Sequence, residues 1–428
     1  MTDANLQFRT ITPFSSPLSV QLGTDQFAPG FIASLRALED LIPPTESDSE
    51  PQISLQGKFC HLGGQQNETR QYGSTESDTK DIRLMCWQPI DEPNVMFHVF
   101  TNNIVIAELN FHIDSHTYVD QQEGWLVKSI EQDAQDHAKK IIRNHYNDFF
   151  ADLNQLAKHL PKSISIDPSH VLPDISWTSR TLVVTDEFLA KEQHQALLTK
   201  WLAKTMRPED ATDIINGDKQ FSMTWLNYAI MTPEPVGQDS HIHTMVLCQY
   251  YYVSQEHCNN ELRRAIELAY SPIKDNHIDK LLAKTRTACR LNQIAYYENI
   301  KFLARPNRVL LEEILGGWNY QQLVENSERM IQVCDARIQE EDNKKRERST
   351  IMTDFLLVAL SFFAVFELSL YLTEFSREMM SRPALDYNDS KSSFFLSVIA
   401  EIDADIMFSF GFGLTLLLII VYRYIKRH

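Results

Sequence analysis

Alternating apolar and polar residues mark three short strands in the first third of the chain. The last two are joined by Thr101-Asn102-Asn103, and asparagine tolerates the left-handed backbone of a tight turn. Apolar residues at helical spacing over 125–160 then predict one long amphipathic helix. We therefore expect an α+β domain at 1–160. The predicted strands are 82–87, 95–100 and 104–111, and polar, turn-rich runs predict flexible loops at 43–51 and 63–81.

The middle of the chain changes from a mixed to a helical pattern. The proline-interrupted run 161–178 cannot continue the preceding helix and predicts an interdomain linker. We expect a second α+β element at 179–255 and a helical region at 256–318. The pattern favours strands at 181–185, 221–231 and 243–253, the last two paired antiparallel, and helices at 187–206, 256–270 and 277–304. Arg305-Pro306-Asn307 is predicted to break the last of these helices.

No helix breaker occurs between Tyr320 and Leu372, where sparse apolar residues stand among many charges. The sequence predicts one stalk helix that runs directly into an apolar segment, over 319–372. Such a helix is roughly 80 Å long, which exceeds what one globular domain buries, so it needs neighbours, most simply copies of itself. Acidic residues precede basic ones over 340–348, which favours ion pairs four residues apart on a solvated helical face.

Two apolar stretches in the last fifth of the chain are long enough to cross a bilayer as helices, the first at 350–372 and the second within 406–428. Their flanks set the orientation, because basic residues collect on the cytosolic side. The basic flanks are Lys344, Lys345, Arg346 and Arg348 before the first span, and Arg423, Lys426 and Arg427 after the second. We expect an α+β cytosolic region, a stalk helix and a C-terminal transmembrane hairpin with both termini cytosolic and an external loop at 373–405.

The net charge of −17, from 57 acidic and 40 basic residues, argues against nucleic acid as a partner. The start of the chain carries no signal for secretion or organelle import, so we expect the amino end to stay in the cytosol. The six cysteines lack a CxxC pair and are expected to be reduced. Phosphate-loop, dinucleotide, zinc-protease and hydrolase motifs are absent from the sequence, so neither catalysis nor a cofactor is predicted.

One side of the first predicted span is partly hydrophilic. On a helical wheel, this side carries Thr350, Asp354, Leu357, Ser361, Ala364 and Leu368. The last five are the pore-lining candidates, and we call them the polar stripe. Around an oligomer axis, Asp354 would form an acidic ring that attracts cations, while Leu357 and Leu368 would act as dewetting gates. The alternative for Asp354 is an ion pair with Arg348 or Lys345 at the membrane interface.

Other ionisable residues of the membrane region are candidates too. Glu367 lies deep in the span, well over a quarter-turn from the polar stripe, and needs a partner, a proton or water. Its simplest alternative is a hydrogen bond into the second span. Glu401, Asp403 and Asp405 would concentrate cations at an outer mouth, or form a solvated acidic turn. Ser409, Gly411 and Gly413 are explained by close helix packing.

Short histidine pairs are the weak metal candidates. His241 and His243 are predicted at a strand end beside Asp239, and His112 and His116 at another beside Asp114. Neither pair has a third ligand at a suitable spacing, so surface polar residues are the alternative.

The order of these parts resembles the CorA-like magnesium transporters: an α+β domain, a long helix entering the first of two C-terminal spans, an external loop and a short basic tail. The resemblance covers most of the chain, as architecture. It implies a pentameric channel of the bacterial inner membrane, lined by the first span, with metal cations as its cargo. The basic tail is similar to the cationic C-terminus around the cytosolic end of the family's pore. The Gly-Met-Asn tripeptide that binds hydrated cation in that family is absent here.

The sequence therefore predicts a homo-oligomeric, CorA-like cation channel gated by its cytosolic domain and surrounded by lipid. A different function is also open: a membrane-anchored sensor or effector, of stress or anti-phage defence, whose cytosolic domain binds a ligand or protein and perturbs the membrane. A tethered scaffold is the third alternative.

Overall fold

The computed structural model describes residues 5–20, 55–60, 82–120, 124–159, 164–168, 172–204, 207–223, 226–231, 235–271, 277–381, 398 and 404–427. They belong to an N-terminal unit, Met1–Cys334, and a C-terminal unit, Asp335–His428. The loops predicted at 43–51 and 63–81 lie outside the described residues.

Strand β1, Asn5–Val20, lies at the centre of the N-terminal unit. Its even-numbered apolar residues, among them Phe8 and Phe14, face one side of the sheet, and Ile11 faces the other. The other described strands are β2 (Gly57–Cys60), β3 (Met85–Pro89), β4 (Val95–Val99), β5 (Asn102–Asp114), β6 (Val119–Asp120), β7 (Gly124–Trp125), β8 (Ile164–Ile166), β9 (Ser179–Val184), β10 (Phe221–Met223) and β11 (Asn227–Met231). Within the described residues, nine of the strands form one mixed sheet in the order β10-β11-β9-β1-β5-β4-β3-β2, with β8 paired to β1, and β6 and β7 form a separate two-stranded sheet.

The predicted meander is confirmed as β3, β4 and β5, which pair antiparallel. The turn between β4 and β5 uses the predicted asparagines, and Asn103 adopts φ 62°. Strand β9 pairs antiparallel with β1 and parallel with β11, which makes the sheet mixed.

Helices cover both faces of this sheet. They are α1 (Val127–His159), α2 (Asp186–Leu189), α3 (Glu192–Ala203), α4 (Glu209–Asn216), α5 (Pro235–Ala269), α6 (Ile278–Asn299), α7 (Arg305–Gly317), α8 (Tyr320–Ser381) and α9 (Ala404–Arg427). The core on the first face includes α1, α3 and α4, and confirms the long helix predicted at 125–160. The core on the second face includes α5, α7 and the start of α8.

The predicted linker at 161–178 is part of the sheet. Leu18 of β1 pairs with Ile166 of β8, and Phe14 forms a bridge with Ile175. Because β9 also pairs with β1, the strands of the two predicted α+β elements, 1–160 and 179–255, form one sheet. The prolines correctly predicted where α1 ends, but the segment that contains them does not separate two domains.

The prediction of a strand at 243–253 is wrong, because this segment belongs to α5. Its residues are buried nearly all round, from Ile242 through Tyr251. A helix buried on every side shows a continuous apolar run, which periodicity alone does not distinguish from a buried strand. The aromatic and β-branched composition of the segment therefore gave the wrong element.

The predicted break near Pro306 is confirmed in position, although Pro306 begins a helix rather than ending one. Helix α6 ends at Asn299, and Pro306 occupies the first turn of α7, where its missing N–H costs no hydrogen bond. After Gly316-Gly317, Asn319 turns the chain at φ 54° and α8 begins at Tyr320, as predicted.

Candidate functional site

The apolar part of α8 is the centre of the candidate site. The helix runs for 62 residues without interruption, nine residues further than the predicted end at 372, so the start of the predicted loop 373–405 is helical. Within it lies a segment long and apolar enough to cross a membrane, and its most apolar 18 residues are not buried by the part of the chain that the structure describes. A shorter apolar helix covers Ile406–Leu417.

Side-chain hydroxyls in this part of α8 are satisfied within the helix. Thr350 donates to the carbonyl oxygen of Arg346 at 2.9 Å, and Ser361 donates to that of Leu357 at 2.8 Å. Further along, Ser369 donates to Val365 at 2.7 Å. Because these bonds need neither water nor a neighbouring helix, such hydroxyls are compatible with an apolar environment.

Helix α9 packs against one face of α8 in the C-terminal unit. The ring centroids of Phe362 and Phe412 are 5.7 Å apart, and those of Phe366 and Phe408 are 5.0 Å apart. Because residue numbers rise along α8 as they fall along α9, the two helices are antiparallel here. Gly411 lies so close to Val365 that a Cβ on it would be 2.6 Å from Val365 Cγ1.

The polar stripe does not face α9. At ~100° per residue, the stripe is centred about 90° around α8 from the face that Phe362, Val365 and Ser369 present to α9. Four stripe residues are exposed in the single chain (Leu357, Ser361, Ala364 and Leu368), whereas Asp354 is half-buried. Among the described residues, four side chains of this partly hydrophilic face are thus left exposed.

Glu367 lies on the side of α8 almost opposite the α9 contact, and it is exposed. The described side chains of α9 therefore do not lie on the face of α8 that carries Glu367, and the hydrogen bond into the second span stays a prediction. Its neighbours on the same face are large apolar groups: Leu360 is 65% exposed and Phe363 is 65% exposed. In a bilayer an ionised carboxylate on this face is costly, so Glu367 would need a partner, a proton or water there.

Ion pairs along α8 confirm the predicted pairing of acids with later bases. Lys344 Nζ lies 2.7 Å from Glu340 Oε1 and 3.1 Å from Glu341 Oε1, and Arg337 contacts both acids. Hydrogen bonds from Lys344 and Arg337 lower the pKa of Glu340, and the bonds to Glu340 and Glu341 raise the pKa of Lys344. Lys345, Arg346 and Arg348 follow on exposed positions of the same helix.

The remaining membrane-region candidates are only partly described. Glu401 and Asp403 lie outside the described residues. Asp405 lies in the first turn of α9, and Arg423, Lys426 and Arg427 in its last turns, but their side chains lie outside the described part of the structure.

The histidine pairs do not converge as predicted. His241 and His243 lie in α5 rather than at a strand end, and two residues apart on a helix point to different faces. The His241 ring packs on Phe221, with centroids 5.0 Å apart. His112 is exposed on β5, and the side chain of His116 lies outside the described residues. The described residues contain no group of three or more His, Cys, Asp or Glu side chains arranged for a metal ion.

A buried polar cluster in the sheet was missed from the sequence. His98 of β4 lies 2.9 Å from Glu108 through Nε2, while its Nδ1 lies 3.3 Å from Cys86 Sγ and 3.1 Å from Arg83. Arg83 can only donate, so Nδ1 accepts and Nε2–H donates to Glu108. Burial opposes ionisation of Glu108, but the hydrogen bond from His98 and the charges of Arg9 and Arg83 outweigh it and lower the pKa of Glu108. Cys86 and His98 are almost fully buried, and the cluster links β3, β4 and β5 inside the sheet.

No protein-family model matches the chain, and neither a curated protein nor a solved structure is significantly similar to it.

Proposed function

We propose that this chain is a homo-oligomeric cation channel of the bacterial inner membrane, anchored by α8 and α9 as a transmembrane hairpin with both termini in the cytosol. Copies assemble around the polar stripe, and the N-terminal unit gates the pore. The architecture resembles the CorA-like transporters, and the resemblance suggests five subunits. Specificity for magnesium by that family's tripeptide is not part of the proposal, because the tripeptide is absent.

The observation that carries this proposal is the exposed part of the polar stripe, Leu357, Ser361, Ala364 and Leu368. Helix α9 contacts a different face of α8, so within the described residues α9 does not cover these four side chains. Asp354 in that stripe is costly in lipid but favourable beside water in a pore. A second copy with its own stripe turned towards the same axis would shelter both.

Charge along α8 supports a cation as the transported species. Asp354 would contribute one carboxylate per subunit to a ring near the cytosolic mouth, which attracts cations. Of the basic residues just before it, Lys344 is already paired with Glu340 and Glu341, which reduces the repulsion of an approaching cation. Leu357 and Leu368 lie on the same face and would form apolar constrictions that close by dewetting.

Flux measurements in liposomes test this function. The reconstituted chain should conduct a monovalent or divalent cation, and Asp354→Asn should lower the cation-to-anion permeability ratio several-fold because the ring loses its charge. Asp342→Asn is the matched control, since it removes the same charge from an exposed position of α8 about three turns earlier. Absence of flux under every ionic condition would reject the channel, and equal selectivity of Asp354→Asn and the unmodified chain would reject Asp354 as the source of cation selectivity.

A further inference from the structure

Helices α5 and α6 pack as an antiparallel pair whose contacts recur at regular intervals. The ring centroids of Tyr251 and Tyr296 are 4.9 Å apart, and Ser254 Oγ donates to Asn292 Oδ1 at 2.6 Å. One turn further along α5, Cys289 Sγ lies 3.5 Å from the carbonyl oxygen of Cys258. Cys258 and Cys289 therefore face each other across the same interface between α5 and α6.

The two thiols of this pair differ in their surroundings. Cys289 is 1% exposed, whereas Cys258 is partly exposed. A hydrogen bond with the Cys258 side chain, together with burial, raises the pKa of Cys289. Cys289 therefore stays protonated, and Cys258 is the thiol that solvent reaches first.

We propose that Cys258 and Cys289 form a dithiol that is oxidised by peroxides to a disulfide linking α5 to α6. The Cys258 thiolate attacks one peroxide oxygen and breaks the O–O bond; the other oxygen leaves and is protonated to water, and Cys258 becomes a sulfenic acid. The Cys289 sulfur then attacks the Cys258 sulfur, loses its proton and releases the second water. Two thiols and one hydrogen peroxide thus give one disulfide and two waters.

The other described cysteines lack this combination of access and partner. Cys86, Cys248 and Cys334 are buried, and Cys258 is the partly exposed one among the five whose side chains the structure describes. Cys248 directs its thiol at the Leu311 carbonyl oxygen, 3.9 Å away. Cys334 on α8 lies near enough to influence Cys289 electrostatically and is the competing third thiol. In a reducing compartment such a bond is transient, as expected of a reversible modification site rather than of a permanent structural disulfide.

Mass spectrometry of the full-length, detergent-purified chain tests this. The reduced protein is treated with hydrogen peroxide, alkylated, and cut with trypsin and Glu-C, which separates Cys248 from Cys258 at Glu256. We expect a linked Cys258–Cys289 peptide about 2 Da lighter than its two free thiols, which dithiothreitol reverses. In the unmodified chain, Cys258 should react with peroxide and with N-ethylmaleimide roughly tenfold or more faster than buried Cys248.

Serine variants distinguish the role of Cys258, which reacts with peroxide, from that of Cys289, which closes the disulfide. Cys289→Ser should leave a sulfenic acid on Cys258 that dimedone traps, and Cys258→Ser should abolish the oxidation at Cys289. Cys334→Ser is the matched control and should retain the Cys258–Cys289 bond. A bond from Cys289 to Cys334 instead, or equal reactivity of Cys258 and Cys248 in the unmodified chain, would overturn the proposal. The readout needs no ion flux, so it is independent of the proposed channel.

Discussion

Asp152 shows how one buried side chain positions an edge strand. Its carboxylate accepts hydrogen bonds from the backbone N–H of Gln56 and Gly57, and from the indole of Trp87 at 2.9 Å. Burial nevertheless raises the pKa of Asp152. A Cβ on Gly57 would lie 2.3 Å from the Trp87 ring, so glycine is required where β2 passes this side chain. Polar contacts of this kind join α1 to the strands it covers.

Glu108 gives a pH-dependent prediction at the same scale. Its pKa is lower in the folded chain than its ordinary value, because His98, Arg9 and Arg83 outweigh the effect of burial. At a given pH near these pKa values, the folded state therefore binds fewer protons at Glu108 than the unfolded state does. The stability that this difference contributes is fully present above the pKa of Glu108 in the unfolded chain. It is lost as the pH falls through the pKa of Glu108 in the folded chain. We expect Glu108→Gln to lower the free energy of unfolding by about 2 kcal/mol at pH 7, and progressively less below about pH 4.5.

Thermal unfolding of the full-length chain in detergent between pH 7 and pH 4 measures this difference. Glu267→Gln, at an exposed position of α5, is the control and should follow the unmodified chain throughout. A Glu108→Gln difference that stays constant over this range, or grows towards low pH, would contradict the assigned sign.

The His98 cluster could not be predicted because its members meet through strand register. Cys86 pairs with His98 across β3 and β4, and Glu108 lies on the next strand. Ten or more residues separate each pair in sequence, and no local pattern specifies which residues become opposite. The stalk ion pairs were predictable, because Glu340 and Lys344 are brought together by helical spacing alone.

Elements with a strong local pattern were predicted well. The amphipathic spacing identified α1, the two asparagines identified the β4–β5 turn, and the unbroken run after Tyr320 identified α8. Strand β1 was missed, although Leu6, Phe8 and Phe14 share one face, because Pro13 and Pro17 and the polar residues between obscure the alternation. Strand β1 also lies between β5 and β9 in the sheet. This position depends on residues far apart in the sequence, so no local sequence pattern predicts it.

Gly411 tests the packing of α9 on α8. A methyl group at this position would lie 2.6 Å from Val365 Cγ1, so Gly411→Ala should force the helices apart at a cost of about 1–3 kcal/mol. Gly413 has no atom within 4 Å of an added Cβ, and Gly413→Ala is the matched control. The measurement is the initial rate of disulfide formation between Phe366→Cys and Phe408→Cys, whose parent rings are 5.0 Å apart. Equal rates for the two glycine variants would show that the helices do not pack through Gly411.

For the whole molecule, the three faces of α8 suggest how subunits would be arranged in the proposed channel. The polar stripe turned towards a common axis leaves two flanks, each about 90–100° from it. One flank is covered by α9 of the same chain, through contacts such as Phe362 with Phe412. The other carries Glu367 among exposed apolar side chains. In a ring, this second flank meets the neighbouring subunit, which would shelter the carboxyl group from lipid.

Glu367 therefore gives a prediction about assembly. We expect Glu367→Leu to weaken the oligomer by about 1 kcal/mol per contact, because an interhelical hydrogen bond is lost, and Glu367→Gln to keep most of it. Dilution series followed by mass photometry measure the dissociation. The lipid-soluble reagent dicyclohexylcarbodiimide adds a readout on the unmodified chain: a sheltered Glu367 reacts slowly in the oligomer and rapidly in dissociated subunits. If Glu367 reacts equally fast in both states, it faces lipid, and the neighbouring subunit contacts another face of α8.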